Sequence, residues 1–369
     1  SVKFIVTGLA VALATWYNQH IRKTTDKVRR YEEVNFMGKK GTALFCCILA
    51  AAVAGIPGAD SLAAESFRVN EISSADGSCI RQVSGQNYQE YYEITQEEME
   101  KSVSFEDVES LRFEFVTIHD LNLAKAKKLK TVVLENAAIK RAENFFNAVK
   151  LENITIGQGS TTESTLDFSK ASNLKSLRLL AKDIKGVKVS GRQLREITAK
   201  DIKAKKLNLA KCTKLKKVTI QNTGIKSLNL TKNKNLTEVA VQNGEECRLT
   251  DLKTGKTHED TFFKSPEQGC KIRFAGKNKI KKLEYYTSDK LIDLTKLTSL
   301  KELHIAKGTA VKVSAAWYQN NKKKVKVYCE GFLQKKLKQT KSKNSVILKP
   351  TKVSDGSYGY DMLSDGEDS

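Results

Sequence analysis

The sequence predicts a repeat solenoid, rich in β-structure, with short turns and few helices. Two observations carry this. First, the stretch from Leu207 to Gly244 states one pattern twice at an offset of 21 residues: Leu207 and Leu209 recur as Leu228 and Leu230, and Leu215, Val218 and Ile220 recur as Leu236, Val239 and Val241. A fixed period in the twenties marks stacked supersecondary units, not one globular core. Second, each unit closes on apolar residues two apart, Val218 with Ile220 and Val239 with Val241. That alternation belongs to a short strand with one buried face. A single unit buries too few side chains to offset the ordering of its own backbone, so each must lean on its neighbours.

The same template extends in both directions. Leu121 and Leu123 lead to Leu129, Val132 and Leu134; Leu166 and Phe168 lead to Leu174, Leu177 and Leu179. Val187 and Val189 lead to Leu194 and Ile197, one residue short. Ile272 and Phe274 lead to Ile280, Leu283 and Tyr285; Ile292 and Leu294 lead to Leu300, Leu303 and Ile305. Val311 and Val313 open a further unit, a degenerate one carries Phe145, Leu151, Ile154 and Ile156, and a weaker one begins at Val103. The paired residues that open a unit read as a second short strand or an extended turn.

These L-x-x-L-x-L blocks, with their Lys/Asn/Thr-rich turns, resemble leucine-rich repeats of the kind found in secreted bacterial internalins and adhesins. The resemblance covers roughly Val103 to Val313. It implies a parallel strand ladder with N- and C-terminal caps, and recognition of a protein or glycan through the strand face. There is one departure. The family places asparagine three residues after the last strand leucine, where this chain has Ala137, Gly159, Lys182, Thr223, Ser288 and Gly308.

The flanking segments follow from composition. The first methionine is Met37, and Glu32-Glu33-Val34 can be encoded by a purine-rich ribosome-binding sequence just upstream, so residues 1–36 read as a translated leader foreign to the natural protein. Residues 37–63 read as a signal peptide: Lys39 and Lys40, an apolar run from Thr42 to Ile56, and Ser61 with Ala63 before cleavage. The run falls short of the ~20 residues of a comfortable span, so no transmembrane segment is expected in the mature chain. Residues 64–102 form an N-terminal cap, with strands at Phe67–Val69 and Tyr91–Ile94 and a helix opened by the capping box Thr95-Gln96-Glu97-Glu98. The solenoid occupies 103–324, with an excursion at 243–271 where the template lapses. A strand–helix–strand cap is expected over 325–350, its helix across Gly331–Thr340, followed by a disordered acidic tail over 351–369.

Charge is divided unevenly. Residues 64–120 carry 13 acidic and 4 basic side chains, residues 121–350 carry 20 and 51, and residues 351–369 carry 5 and 1. A basic array attracts polyanions, which gives the alternative reading of a basic cell-wall or polyanion-associated structural protein, with an anionic wall polymer as its partner. Arginine is rare against lysine and no aromatic-interleaved basic motif occurs, so no specific nucleic-acid readout is expected. The three histidines after residue 63, His119, His258 and His304, are far apart, and no phosphate loop, C-x-x-C or G-x-S-x-G is present. The reading is a non-catalytic binding protein, secreted or at the bacterial cell surface, with no cofactor and no metal.

Alternation assigns the outward positions of the strands, and these form the candidate binding face. They begin with Thr131 and Glu135, then Asn153 and Thr155, then Arg178, then Glu196 and Thr198. Lys217, Thr219 and Gln221 follow, then Glu238 and Gln242, Glu284 and Tyr286, and finally Glu302 and His304. A disulfide between Cys247 and Cys270 is also expected. The two cysteines bracket the excursion, which would bring their Cα atoms within ~4.4–6.8 Å if it leaves and rejoins the array at adjacent turns. Export would place them in oxidising surroundings, and closing that loop would stabilise by ~3 kcal/mol on the chain-entropy model.

Overall fold

Alternating apolar residues at a period near 21 do wind into a β-solenoid. The structure is a computed structural model that describes residues 67–363 apart from 74–78, 86–90, 104, 143 and 352–355. The expected leader and signal peptide, and the end of the expected acidic tail, lie outside the described residues. The main sheet has 13 strands. Eleven are stacked in parallel, from Cys79–Gly85 and Ser110–Glu114 at one end to Glu302–Ile305 and Lys326–Cys329 at the other. Successive strands pair in register along the repeat: Val218 lies between Ile197 and Val239, and Thr219 between Thr198 and Ala240. The inward residues at 197, 218 and 239 are fully buried.

The paired residues that open a unit behave in two ways. Leu166–Asp167 pairs with Val187–Lys188, and Ser227–Leu230 with Lys271–Phe274, as short parallel strands. Leu121–Leu123 and Leu207–Leu209 are extended turns whose leucines are still buried. In the first units a further short ladder follows the main strand, through Tyr92–Ile94, Val116–His119, Ala138–Arg141 and Thr161–Thr162. Backbone reversal after the main strands uses a left-handed residue at Asn136, Asp201 and Asn222 (φ 47°, 58° and 47°). Asparagine and aspartate tolerate that conformation best among non-glycine residues. It falls one position earlier than the family's asparagine, which explains why no such residue is found at 137 or 223. Further asparagines hold stacked turns together. Asn233 is completely buried, and its Nδ2 donates to the carbonyls of Leu209 and Cys212, both at 2.9 Å.

The ends are closed as an array requires. At the N-terminal end Phe67–Ser73 folds back antiparallel on Cys79–Gly85. The helix Gln96–Ser102 begins at Thr95 with the expected capping box to Glu98. The C-terminal closure differs from expectation. The helix lies earlier, over Ala315–Asn321, where Ser314 caps it and Trp317 Nε1 donates to the Leu297 carbonyl at 2.8 Å. Residues 331–340 form no helix. Glu330 and Gly331 take positive φ (47° and 82°), which turns the chain sharply into Phe332–Leu333, and Leu337–Lys341 then pairs antiparallel with Ser345–Pro350.

The excursion is a hairpin of Glu245–Asp251 and Thr257–Lys264. The main ladder passes beneath it without a break, since Val239 pairs directly with Leu283. At its base Gly244 has φ +106°, and a Cβ there would stand 2.0 Å from the Lys264 carbonyl oxygen, so only glycine lets the two arms meet. Part of the tail is ordered against expectation: Tyr358–Met362 adds to the hairpin as a third, antiparallel strand on Glu245–Asp251. None of the described helices is long and apolar enough to cross a membrane.

Candidate functional site

The outward side chains of the ladder stand in three columns. The first runs through Thr131, Asn153, Ser176, Glu196, Lys217, Glu238, Lys282 and Glu302; the second through Thr155, Arg178, Thr198, Thr219, Ala240, Glu284 and His304. Sixteen residues assigned to the face from alternation all lie on these strands or at their ends, yet they do not all face solvent.

The third column is where the structure corrects the reading. Gln221, Gln242 and Tyr286 are buried, Tyr286 completely. The hairpin lies over this column. Its Phe262, Phe263, Leu249 and Cys247 form a second apolar cluster with Tyr286 and Ala306, joined by the partly buried Phe332 and Tyr358. The Phe263 and Tyr286 rings are 5.7 Å apart. Gln221 donates to Glu246 of the hairpin at 3.1 Å. Alternation says which way a side chain points; it does not say what covers it.

That cluster also disposes of the expected disulfide. Cys247 and Cys270 are both free and fully buried. Cys247 faces the hairpin cluster with its Sγ 3.3 Å from the sulfur of Met362, whereas Cys270 belongs to the solenoid core. The hairpin base does close, but Cys247 has already turned outward with its strand. Burial raises the thiols of Cys212, Cys247, Cys270 and Cys329: Cys212 is pushed up to about 11, and Cys270 and Cys329 to about 12, with Asp289 and Glu330 adding to the effect at the last two.

Both ends of the face are closed by the chain's own charges. At the N-terminal end Arg112 bridges Glu114 and Glu135, and Gln82 donates to Glu114 at 2.6 Å. Towards the C-terminal end Lys282 pairs with Glu284 at 2.9 Å and Glu302 at 3.4 Å, and Gln242 donates to Glu284. His304 lies 2.8 Å from Glu302 and stacks on Tyr328 at 4.6 Å between ring centres. Burial acts to raise the Glu302 pKa, but the His304 hydrogen bond and the charges of His304 and Lys282 outweigh it, so the net shift is downward. Tyr328 continues the second column beyond His304. It sits 24 residues on, outside the regular period, which is why repeat counting did not reach it.

Between these two networks lies an open window. Asn153, Arg178 and Glu196 are exposed, and Thr155, Ser176, Thr198 and Thr219 are half-exposed. Arg178 and Glu196 make no ion pair among the described residues. Lys217 and Glu238 pair with each other at 3.3 Å along the window's far margin. A separate cavity of about 1060 Å³ opens between the N-terminal cap and the first turns, lined among others by Phe105, Asp107, Lys125, Lys128 and Val149. Its rim is tied by Lys125–Glu100 and Lys128–Asp107 ion pairs. No group of three or more metal-ligating side chains occurs among the described residues. No protein-family model matches the chain, and no curated protein matches it either.

Proposed function

We propose that this chain is a non-catalytic binding protein of the leucine-rich repeat kind, secreted or held at a bacterial cell surface, which recognises a protein or glycan through its strand face. The observation that carries this reading is the open window. The ladder's outward side chains pair among themselves at both ends, while from Asn153 to Thr219 they present an exposed arginine and an exposed glutamate amid hydroxyls and an amide. Threonine, serine and asparagine on a rigid parallel ladder offer hydrogen-bonding groups at fixed spacing, about 4.8 Å from one strand to the next. Little side-chain entropy is lost when such groups engage a ligand.

The absence of a catalytic role is supported by the chemistry of the side chains. The buried thiols are held far from the thiolate form that a nucleophile requires. His119 lies beside Glu93 and Asp120, His258 against Tyr358, and His304 against Glu302 and Tyr328, and these partners, among the described residues, include no cysteine or serine nucleophile.

The test is a panel of host proteins and wall glycans screened with the full chain, with Arg178→Glu and with Thr198→Lys, at low and physiological salt. A ligand of the window is retained at physiological salt and lost in both variants. If every ligand found binds both variants as it binds the unaltered chain, the strand face is not the site.

A further inference from the structure

We infer that a second, independent surface runs beside the ladder: a strip of cations that make no ion pair among the described residues, on the turns that precede the main strands, built to hold a linear phosphodiester polymer without bases. The turns at 190–195, 208–216, 229–237, 275–281 and 294–301 together carry twelve lysines and arginines, all exposed, and not one aspartate or glutamate. They belong to consecutive stacked strands, those beginning at Glu196, Lys217, Glu238, Lys282 and Glu302.

The innermost residues of the strip are fixed by backbone. Lys216 N–H donates to the Arg195 carbonyl at 2.7 Å, Thr237 to Lys216, Lys281 to Thr237 and Lys301 to Lys281, the last three at 2.8 Å each. Arg195, Lys216, Lys281 and Lys301 therefore stand in a line along the sheet. At ~4.8 Å per strand the five turns extend over roughly 19 Å.

The first turns of the array show what a neutralised edge looks like. Lys125, Lys128 and Lys130 pair with Glu100, Asp107 and Glu109 of the acidic cap region, and Lys175 pairs with Glu152. On the five later turns this pairing stops: lysines nearby still pair, as Lys203 does with Asp183 and Lys217 with Glu238, but none of the twelve turn cations makes an ion pair among the described residues. Lys214 and Lys279 reach only neutral amides, of Gln193 and Asn235. Of the acids that open the same strands, Glu238 and Glu302 are already taken by Lys217 and Lys282, which leaves Glu196 as a single exposed carboxylate against twelve cations. Like charges stacked at this spacing repel, so the arrangement costs stability unless an anion neutralises it.

The composition of the strip selects among polyanions. None of the five turns contains an aromatic side chain, so there is no platform on which bases would stack. Ten of the twelve cations are lysine, which binds single phosphate oxygens as a point charge, whereas planar bidentate recognition of carboxylates favours the arginine fork. An extended chain of phosphate monoanions, as in poly(glycerol phosphate), fits a line of lysines with no aromatic platform beside it.

The experiment compares the full chain with two charge-matched triple variants: Lys216→Glu/Lys281→Glu/Lys301→Glu in the strip, and Lys338→Glu/Lys343→Glu/Lys349→Glu on the C-terminal strands. All six lysines are exposed, and circular dichroism checks that both variants fold. Poly(glycerol phosphate), single-stranded DNA and heparin of equal charge are titrated at 50 and 200 mM salt. The expected result is binding of poly(glycerol phosphate) that weakens roughly a hundredfold across that salt range for about five neutralised charges. The strip variant should lose at least tenfold and the control variant less than threefold. No binding by the unaltered chain, equal losses in both variants, or an unaffected strip variant would each overturn the assignment. Equal or tighter binding of DNA or heparin would overturn the choice of a base-free phosphodiester. Arg178→Glu should leave polymer binding unchanged, which separates this surface from the strand-face reading.

Discussion

Replacing Val218 by aspartate tests the register on which the whole description rests. Val218 is fully buried between Ile197 and Val239 in the ladder. Removing its side chain forfeits about 1.5–3 kcal/mol of apolar burial. Placing an unpaired carboxyl in that position adds several kcal/mol more, whether it stays charged or takes a proton. The expected loss is ~4–6 kcal/mol, a large share of the stability of a typical domain. Thr219, the next residue, points outward between Thr198 and Ala240 and is half-exposed, so Thr219→Asp should cost less than ~1 kcal/mol. Urea unfolding of both variants, followed by circular dichroism, gives the two numbers. Because stacked units depend chiefly on nearest neighbours, amide exchange in Val218→Asp should quicken first in Glu196–Lys200 and Glu238–Gln242. Equal destabilisation by the two substitutions, or acceleration confined to distant strands, would refute the assigned register.

Three further outcomes follow from particular residues. The Tyr286 hydroxyl is buried without a partner among the described residues, so Tyr286→Phe should be neutral or stabilise by about 1 kcal/mol, read as a shift in the denaturation midpoint. Cys212, Cys247, Cys270 and Cys329 should all map as free thiols on non-reducing peptide analysis and resist maleimide at pH 8 until the chain is unfolded. A Cys247–Cys270 link would contradict their separation into two clusters. Glu302 has a folded pKa below its ordinary 4.5, so its contribution is present above that value and lost as pH falls through the lowered one. Glu302→Gln should therefore be less stable than the unaltered chain at pH 7, and the gap should close in acid; a gap independent of pH would remove the ionic explanation.

The ladder was legible because burial and periodicity are the same statement at positions such as Val218, Leu236 and Leu283. A residue on the inner face of one unit must be apolar in all of them, and the repetition exposes the rule. What covers the outer face has no such redundancy. Tyr286 alternates outward like Glu284, and nothing in its own strand marks it as covered; the apolar pair Phe262-Phe263 that covers it lies in the hairpin. The left-handed turns at Asn136 and Asn222 lie one residue before the position where leucine-rich repeats carry asparagine, so that pattern does not mark them. At the C-terminal end, Gly331 to Thr340 looked helical from its spacing. The turn forced at Glu330 and Gly331 and the pairing offered by Ser345–Pro350 prevailed over local preference. The strip of cations was countable as composition; its alignment beside the ladder was not, since that depends on which turns stack.

The strand Tyr358–Met362 joins the chain's last described residues to a hairpin more than a hundred positions earlier, Cys247 opposite Met362 and Asp251 opposite Tyr358. This has a mechanical consequence. If the protein is pulled from beyond Met362 against a grip on its N-terminal side, both pulling points reach the pair at the same end. Load then falls on one rung at a time, the unzipping geometry that yields most easily. The five-residue strand should therefore peel at low tension while the parallel ladder holds, releasing a short length of chain and uncovering Tyr358's neighbours at Phe332 and His258. Whatever hangs from that end is coupled to the array through a weak link of fixed size.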